Sequence, residues 1–253
     1  MSVAGALLFA RYAYPPNALG YCGPAGAAAM LRPDAEADIA RRARRFEGAW
    51  SYLEFLASVA GVDDPLDERV VSAYWVGNDL LTAASPGALV SWLSARFAGQ
   101  PGGTWREAAS RALAHHTFQV FEVYPWAGLL ASTGNPQALS VLDQCRVRTG
   151  EVVAVSGETA VVSSRPLVAG PGGAVVPGEP RRETVRWSVD GYSLLPSLSE
   201  GDRVALHWNW ICDTITPEQS LRIDDLESRY HGAAVAADQA LERSSSISSG
   251  SVG

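Results

Sequence analysis

The groups able to bind a metal or act as nucleophiles are few: three cysteines, four histidines, and a set of basic residues that are all arginine. An odd cysteine count with no Cys-x-x-Cys argues against a disulfide framework and against a thiolate-rich zinc site, so any cysteine with a task works singly. Cys145 could supply a soft thiolate to low-valent iron, or could simply be a small buried hydrophobe at the start of a strand. His207 could be a second ligand or a proton acceptor near Cys145, or a ring packed between Leu206 and Trp208. Cys22, in Gly20-Tyr21-Cys22-Gly23-Pro24, is expected just ahead of a helix opening at Pro24. A helix N-terminus would stabilise its thiolate, although the same residues also suit an ordinary turn. Cys212, among Trp208, Trp210 and Ile211, reads as core.

His115 and His116 point to different faces of one expected helix, so adjacency does not make them a pair. His115 lines up with Gln119 and Glu122 in a polar row that is either a ligand set or a solvated face. His116 lines up with Leu113, Val120 and Val123.

Several chemistries are closed. Without lysine there is no Schiff base and no P-loop lysine. Gly-x-Ser-x-Gly is absent, Gly170 to Gly173 does not precede a helix, and Asp63-Asp64 reads as a cap before Pro65. An acidic pI near 5.1 argues against a dedicated nucleic-acid binder. Apolar runs fall short of a membrane span, and Arg11, Pro15 and Pro16 spoil the start as a signal peptide, so the expected location is the cytoplasm.

The elements that would position these groups change character along the chain. Up to about residue 143 the apolar residues recur at helical spacing, clearest from Ile39 through Phe46 and Trp50 to Ala60. Further helices are expected from Pro65, from Ser85-Pro86, from the capping box Thr104 to Glu107 through His116 to near Pro125, and from Pro136 to Leu142. At Cys145 the pattern turns β-rich, with a turn at Ser156-Gly157 and strands near 181–188, 203–208 and 210–214. Five short strands suit a small barrel, followed by a helix capped at Thr216-Pro217-Glu218-Gln219. The expected class is α+β: an all-helical domain over 1–143, a five-stranded OB-like β-barrel with a C-terminal helix over 144–231, and a disordered Ser-rich tail over 232–253.

Two segments, Cys145-Arg146-Val147-Arg148-Thr149-Gly150-Glu151-Val152 and Gly201-Asp202-Arg203-Val204-Ala205-Leu206-His207, share an order. With the turn at Ser156-Gly157 and the acidic helix from Pro217, residues 144 to 230 resemble the HypC/HupF family of hydrogenase-maturation chaperones. The resemblance implies an OB-like barrel, a cysteine at the start of the first strand and a histidine at the end of the Gly-Asp-x-Val strand, which Cys145 and His207 match. It further implies an iron centre bearing cyanide and carbon monoxide, a larger maturation partner, and delivery to the precursor of the nickel–iron hydrogenase large subunit. This chain departs from the pattern in that Cys145 is internal, not at a free chain end, and Thr149 stands where the family has proline. The whole chain, through Arg11-Tyr12-Ala13-Tyr14-Pro15-Pro16-Asn17 and Phe121-Glu122-Val123-Tyr124-Pro125-Trp126, is also similar to an uncharacterised bacterial family.

Two functions compete. One is a non-enzymatic metallocentre chaperone that presents Cys145 and His207 to iron and docks a maturation protein. The other is a metal-dependent or cysteine-dependent enzyme whose site lies in the helical region around Cys22, His115, His116, Gln119 and Glu122. A scaffold holding no metal is a third.

Overall fold

The structure, a computed structural model, describes residues 2–32, 34–97, 108–170 and 174–231. The protein is a mixed α+β chain in which helices run to Cys145 and strands begin at Arg148. The helices are α1 (Val3–Ala18), α2 (Glu36–Ala43), α3 (Glu47–Ala60), α4 (Glu68–Trp75), α5 (Leu80–Ala83), α6 (Pro86–Arg96), α7 (His116–Phe118), α8 (Trp126–Thr133), α9 (Pro136–Cys145) and α10 (Pro217–Ser228). Caps and prolines start several of them: Ser85 before Pro86, Asn135 before Pro136, and at α10 a full Thr216–Gln219 capping box.

Three helical expectations are corrected. The single helix expected from Ile39 to Ala60 is two, because Phe46 leaves helical backbone (φ −90°, ψ 71°) to bury its ring edge-on against Phe9. No helix opens at Pro24; Gly20, Gly23 and Gly26 take positive φ in a loop, and a 3-10 turn over Ala27–Leu31 follows. The helix expected to pass through His115 is interrupted. Ala112 and His115 are extended, α7 restarts at His116, and the backbone then widens into a π-helical turn over Gln119–Val123. The Thr104 capping box, Pro171 to Gly173 and the tail from residue 232 lie outside the described residues.

The strands are β1 (Arg148–Ser156), β2 (Thr159–Ser164), β3 (Leu167–Ala169), β4 (Val175–Pro177), β5 (Arg181–Arg186), β6 (Arg203–His207) and β7 (Trp210–Thr214). Gly157, at φ +56°, turns β1 into β2. Five strands pair in the order β1-β2-β5-β7-β6, with β6 returning to β1; β5 and β7 meet through the single parallel pair Arg186↔Trp210. The β3–β4 hairpin is separate from them.

Strand alternation gives β6 two buried faces. Val204 and Leu206 join Val152, Val162, Val185 and Ile211 in a small core among the strands. Ala205 belongs instead to the larger core built on the helices, and His207 shares that side. This larger core ties the two kinds of structure together: Trp75 of α4 packs on His207 of β6 with ring centroids 5.6 Å apart, and Tyr14 of α1 meets Trp210 of β7 at 4.9 Å. Among the described residues, no helix is long and apolar enough to cross a membrane.

Candidate metal centre

Where α7, α9 and β6 meet, His116, Cys145 and His207 each offer a ligand atom, and all three atoms lie within 4.8 Å of one another. Cys145 is the last residue of α9, not the first of a strand. Its position against His207 is fixed by their neighbours, since the Trp208 N–H donates to the Gln144 carbonyl at 2.7 Å. Trp208 holds an unusual positive φ of 56° to make that turn. On the other side of Cys145, the Arg146 guanidinium grips the Glu227 carboxylate through Nη1 at 2.8 and 2.7 Å.

Main-chain carbonyls set both imidazoles. The Nδ1 of His207 lies 2.7 Å from the Tyr12 carbonyl. A carbonyl only accepts, so Nδ1 carries the proton and the neutral ring keeps its lone pair on Nε2. That Nε2 is buried and has no hydrogen-bond partner among the described residues. The Nε2 of His116 lies 2.8 Å from the carbonyl of Cys145, one of the orphan carbonyls at the end of α9, so its lone pair sits on Nδ1. The Tyr74 hydroxyl, 3.1 Å from that Nδ1, also donates to Gln119 Oε1, and with one proton it cannot serve both. Holding a histidine ring by its far nitrogen is how proteins orient imidazole ligands.

Electrostatics keep the site neutral in the absence of a cation. Burial lowers the His116 pKa to about 4 and, with His116 beside it, holds His207 well below its ordinary value. Burial pushes the Cys145 thiol well up, and Cys22 adds to this. The C-terminal end of α9 also disfavours a thiolate. Cys145 is therefore a poor nucleophile by itself, whereas a bound metal ion would displace its proton outright.

The cluster opens on a cavity of about 390 Å³ lined also by Cys22, Tyr74, Tyr124 and Gln119. Gln119 Nε2 donates to the Tyr124 hydroxyl at 2.9 Å, completing a chain from Tyr124 through Gln119 to Tyr74. The π-helical turn, a feature common at functional sites, begins at Gln119.

The residues of the two expected sites are thus redistributed. Cys145 and His207 come together, and Cys22, His116 and Gln119 line the same cavity. His115 and Glu122 do not line it. His115 caps α7, its Nδ1 accepting from Thr117 N–H at 3.1 Å, and burial lowers its pKa to about 3. Glu122 pairs with Arg111 at 2.6 Å. Cys22 has no helix N-terminus to lower its pKa, and burial raises it to about 12. The pair is buried, Cys145 at 8% and His207 at 1% exposure, because the helices cover that face of β6. Cys212 is core, as expected.

Two neighbours carried no chemical signal in the sequence: Tyr74, and Trp75, whose ring lies 4.5 Å from that of His116. His116 did, since its row with Leu113, Val120 and Val123 is apolar and such a row faces inward.

Fold and site together define a mixed α+β protein with a buried cysteine–histidine cluster where helices meet strands. Residues 1–239 match the model of DUF6390, a family of unknown function, and the chain belongs to that family. No curated protein and no solved structure matches it.

Proposed function

We propose that this protein holds one thiophilic metal ion between His116, Cys145 and His207 and acts as an accessory protein in metallocentre assembly. The observation that carries the reading is the convergence of a thiol and two tautomer-set imidazoles, all buried, from three separate elements on one cavity. A thiolate with two imidazoles suits iron, zinc or copper rather than magnesium or calcium. The resemblance to the HypC/HupF chaperones favours iron, with cyanide and carbon monoxide as its non-protein ligands. In that reading the five paired strands are an OB-like barrel over 144–231, the preceding helices form a docking domain over 1–143, and the protein works in the cytoplasm. Its partner is a hydrogenase maturation protein or the large-subunit precursor. The deep burial of the site fits a protein that shields its cargo and releases it only when a partner moves the helices off β6.

The test is anaerobic purification after expression beside the hydrogenase maturation proteins, followed by metal analysis and infrared spectroscopy. Bound iron with cyanide and carbonyl stretching bands, lost in Cys145→Ser, is the expected result. Protein that never carries metal under these conditions overturns the reading.

The cavity beside the cluster favours a second reading, a metal-dependent enzyme whose open coordination position faces a small substrate. Cys22, His116 and Gln119 remain in that reading, and His115 and Glu122 leave it.

A further inference from the structure

Three protein donors leave a tetrahedral ion one short. They also leave it charged: a divalent ion bound by one thiolate and two neutral imidazoles keeps a net positive charge, which is costly to bury without a counter-charge. The lining of the cavity offers Glu47, which is exposed, and one further thiol, Cys22, which is half-buried. A second thiolate would make the complex neutral.

The backbone around Cys22 is built to hold its thiol in the cavity wall. The Asn17 side-chain NH₂ donates to the carbonyls of Cys22 and Pro24, each at 2.8 Å. Gly23 presses so closely on Phe46 that a Cβ there would lie 2.4 Å from the ring. Tyr21 stacks on Trp208 at 3.9 Å, so the residue before Cys22 rests on the residue after His207. The unpartnered, buried Nε2 of His207 independently marks the same cavity as a ligand site.

We propose that Cys22 is the fourth ligand, giving a two-cysteine, two-histidine site for a divalent thiophilic ion. This rests on the three-residue metal site proposed above and concerns that site holding a bare divalent ion; iron already carrying cyanide and carbon monoxide has those positions filled and needs no fourth protein ligand. The Cys22 thiol lies outside the cluster of three, so binding closes the gap by rotation of the Cys22 side chain and a small shift of its loop between the anchors at Asn17 and Phe46. Each thiol loses its proton to solvent as its sulfur–metal bond forms, and no redox change occurs.

The test uses cobalt(II) as a spectroscopic probe on the full chain, metal-free and under reducing conditions. Wild type should bind one cobalt with a sulfur-to-metal charge-transfer band. Cys22→Ser should still bind it, with about half the band intensity per cobalt and an affinity lower by about tenfold or more, as loss of a directly bound group should cost at least what loss of a supporting one does. Cys22→Ser with wild-type intensity and affinity overturns the proposal while leaving the three-residue site standing. Failure of wild type to bind cobalt overturns both. Should Cys22→Ser not fold, iodoacetamide labelling of wild type decides. Zinc(II) should protect Cys22 from alkylation, and equal labelling with and without zinc counts against the proposal.

Discussion

The Nδ1–H of His207 donates to the carbonyl of Tyr12 at 2.7 Å, and that carbonyl is available because Pro16, four residues on, has no N–H to offer it. Prolines inside a helix usually signal only disruption. Here Pro15 and Pro16 lie in the last turns of α1, and the backbone acceptor that Pro16 frees anchors the His207 ring from β6. The Tyr-Ala-Tyr-Pro-Pro segment thus acts at the centre through its main chain.

Pro16→Ala restores a competing donor to Tyr12. A carbonyl has two lone pairs, so the His207 bond should weaken without being lost, and the ring should lose its strict tautomer. Metal affinity should fall by about tenfold, the low end for supporting groups. Nitrogen chemical shifts of the His207 ring check it: a proton that stays wholly on Nδ1, with unchanged affinity, removes Tyr12 from the site.

His115→Ala separates the cap from the ligands. Its loss should cost about 2 kcal/mol or more by denaturant unfolding, since a fully buried ring is removed along with an N-cap, and leave metal binding unchanged. His116→Ala should do the reverse to binding, lowering it sharply. Equal effects of the two substitutions on metal affinity would mean that the extended backbone at His115 does not turn that ring away from the cavity.

Much of the framework was legible because it is local. The Ser85, Asn135 and Thr216 caps, the Gly157 turn and the runs that became β5, β6 and β7 are specified by neighbours within a few residues. What escaped was set from far away. The valines after Cys145 suggest a strand from that residue, yet Trp208 holds the Gln144 carbonyl and His116 holds the Cys145 carbonyl, which keeps both in α9. A helical period across His115 and His116 hides the break that makes one a cap and the other a cluster member. The cover over His207 comes from α1, 195 residues away at Tyr12, and from Trp75 of α4, and nothing near His207 announces it.

Glu227→Gln tests the clamp that holds Arg146 next to Cys145. Burial pushes the Glu227 carboxyl up, but the Arg146 guanidinium outweighs this and holds it below its ordinary value. A carboxyl lowered on folding contributes stability that is present above its unfolded pKa of about 4.3 and is lost as pH falls through the lower folded value. Wild type should therefore lose stability on acidification below that point more steeply than Glu227→Gln. At neutral pH the variant should be less stable by about 3 kcal/mol, the lower bound for breaking a buried pair, because Asp143 still bonds Arg146 at 3.0 Å. Parallel stability curves for the two proteins below pH 5 would show that the pair contributes nothing.

Cys145→Ser bears on the centre most directly. The substitution keeps the size of the side chain and replaces a soft sulfur, whose proton a metal displaces readily, with a hydroxyl that stays protonated. At the end of α9 a serine hydroxyl can bond back to a main-chain carbonyl one turn earlier, so the cost of burying a polar group is offset and unfolding free energy should change by about 1 kcal/mol or less. Bound metal, measured per folded chain, should drop to background. In wild type, by contrast, an ion that binds only the folded state must raise the melting temperature as its concentration exceeds the dissociation constant, and that rise should vanish in Cys145→Ser. If zinc(II) or iron(II) stabilises both proteins equally, the ion is held elsewhere, and the convergence of His116, Cys145 and His207 is a packed core contact with no ligand role.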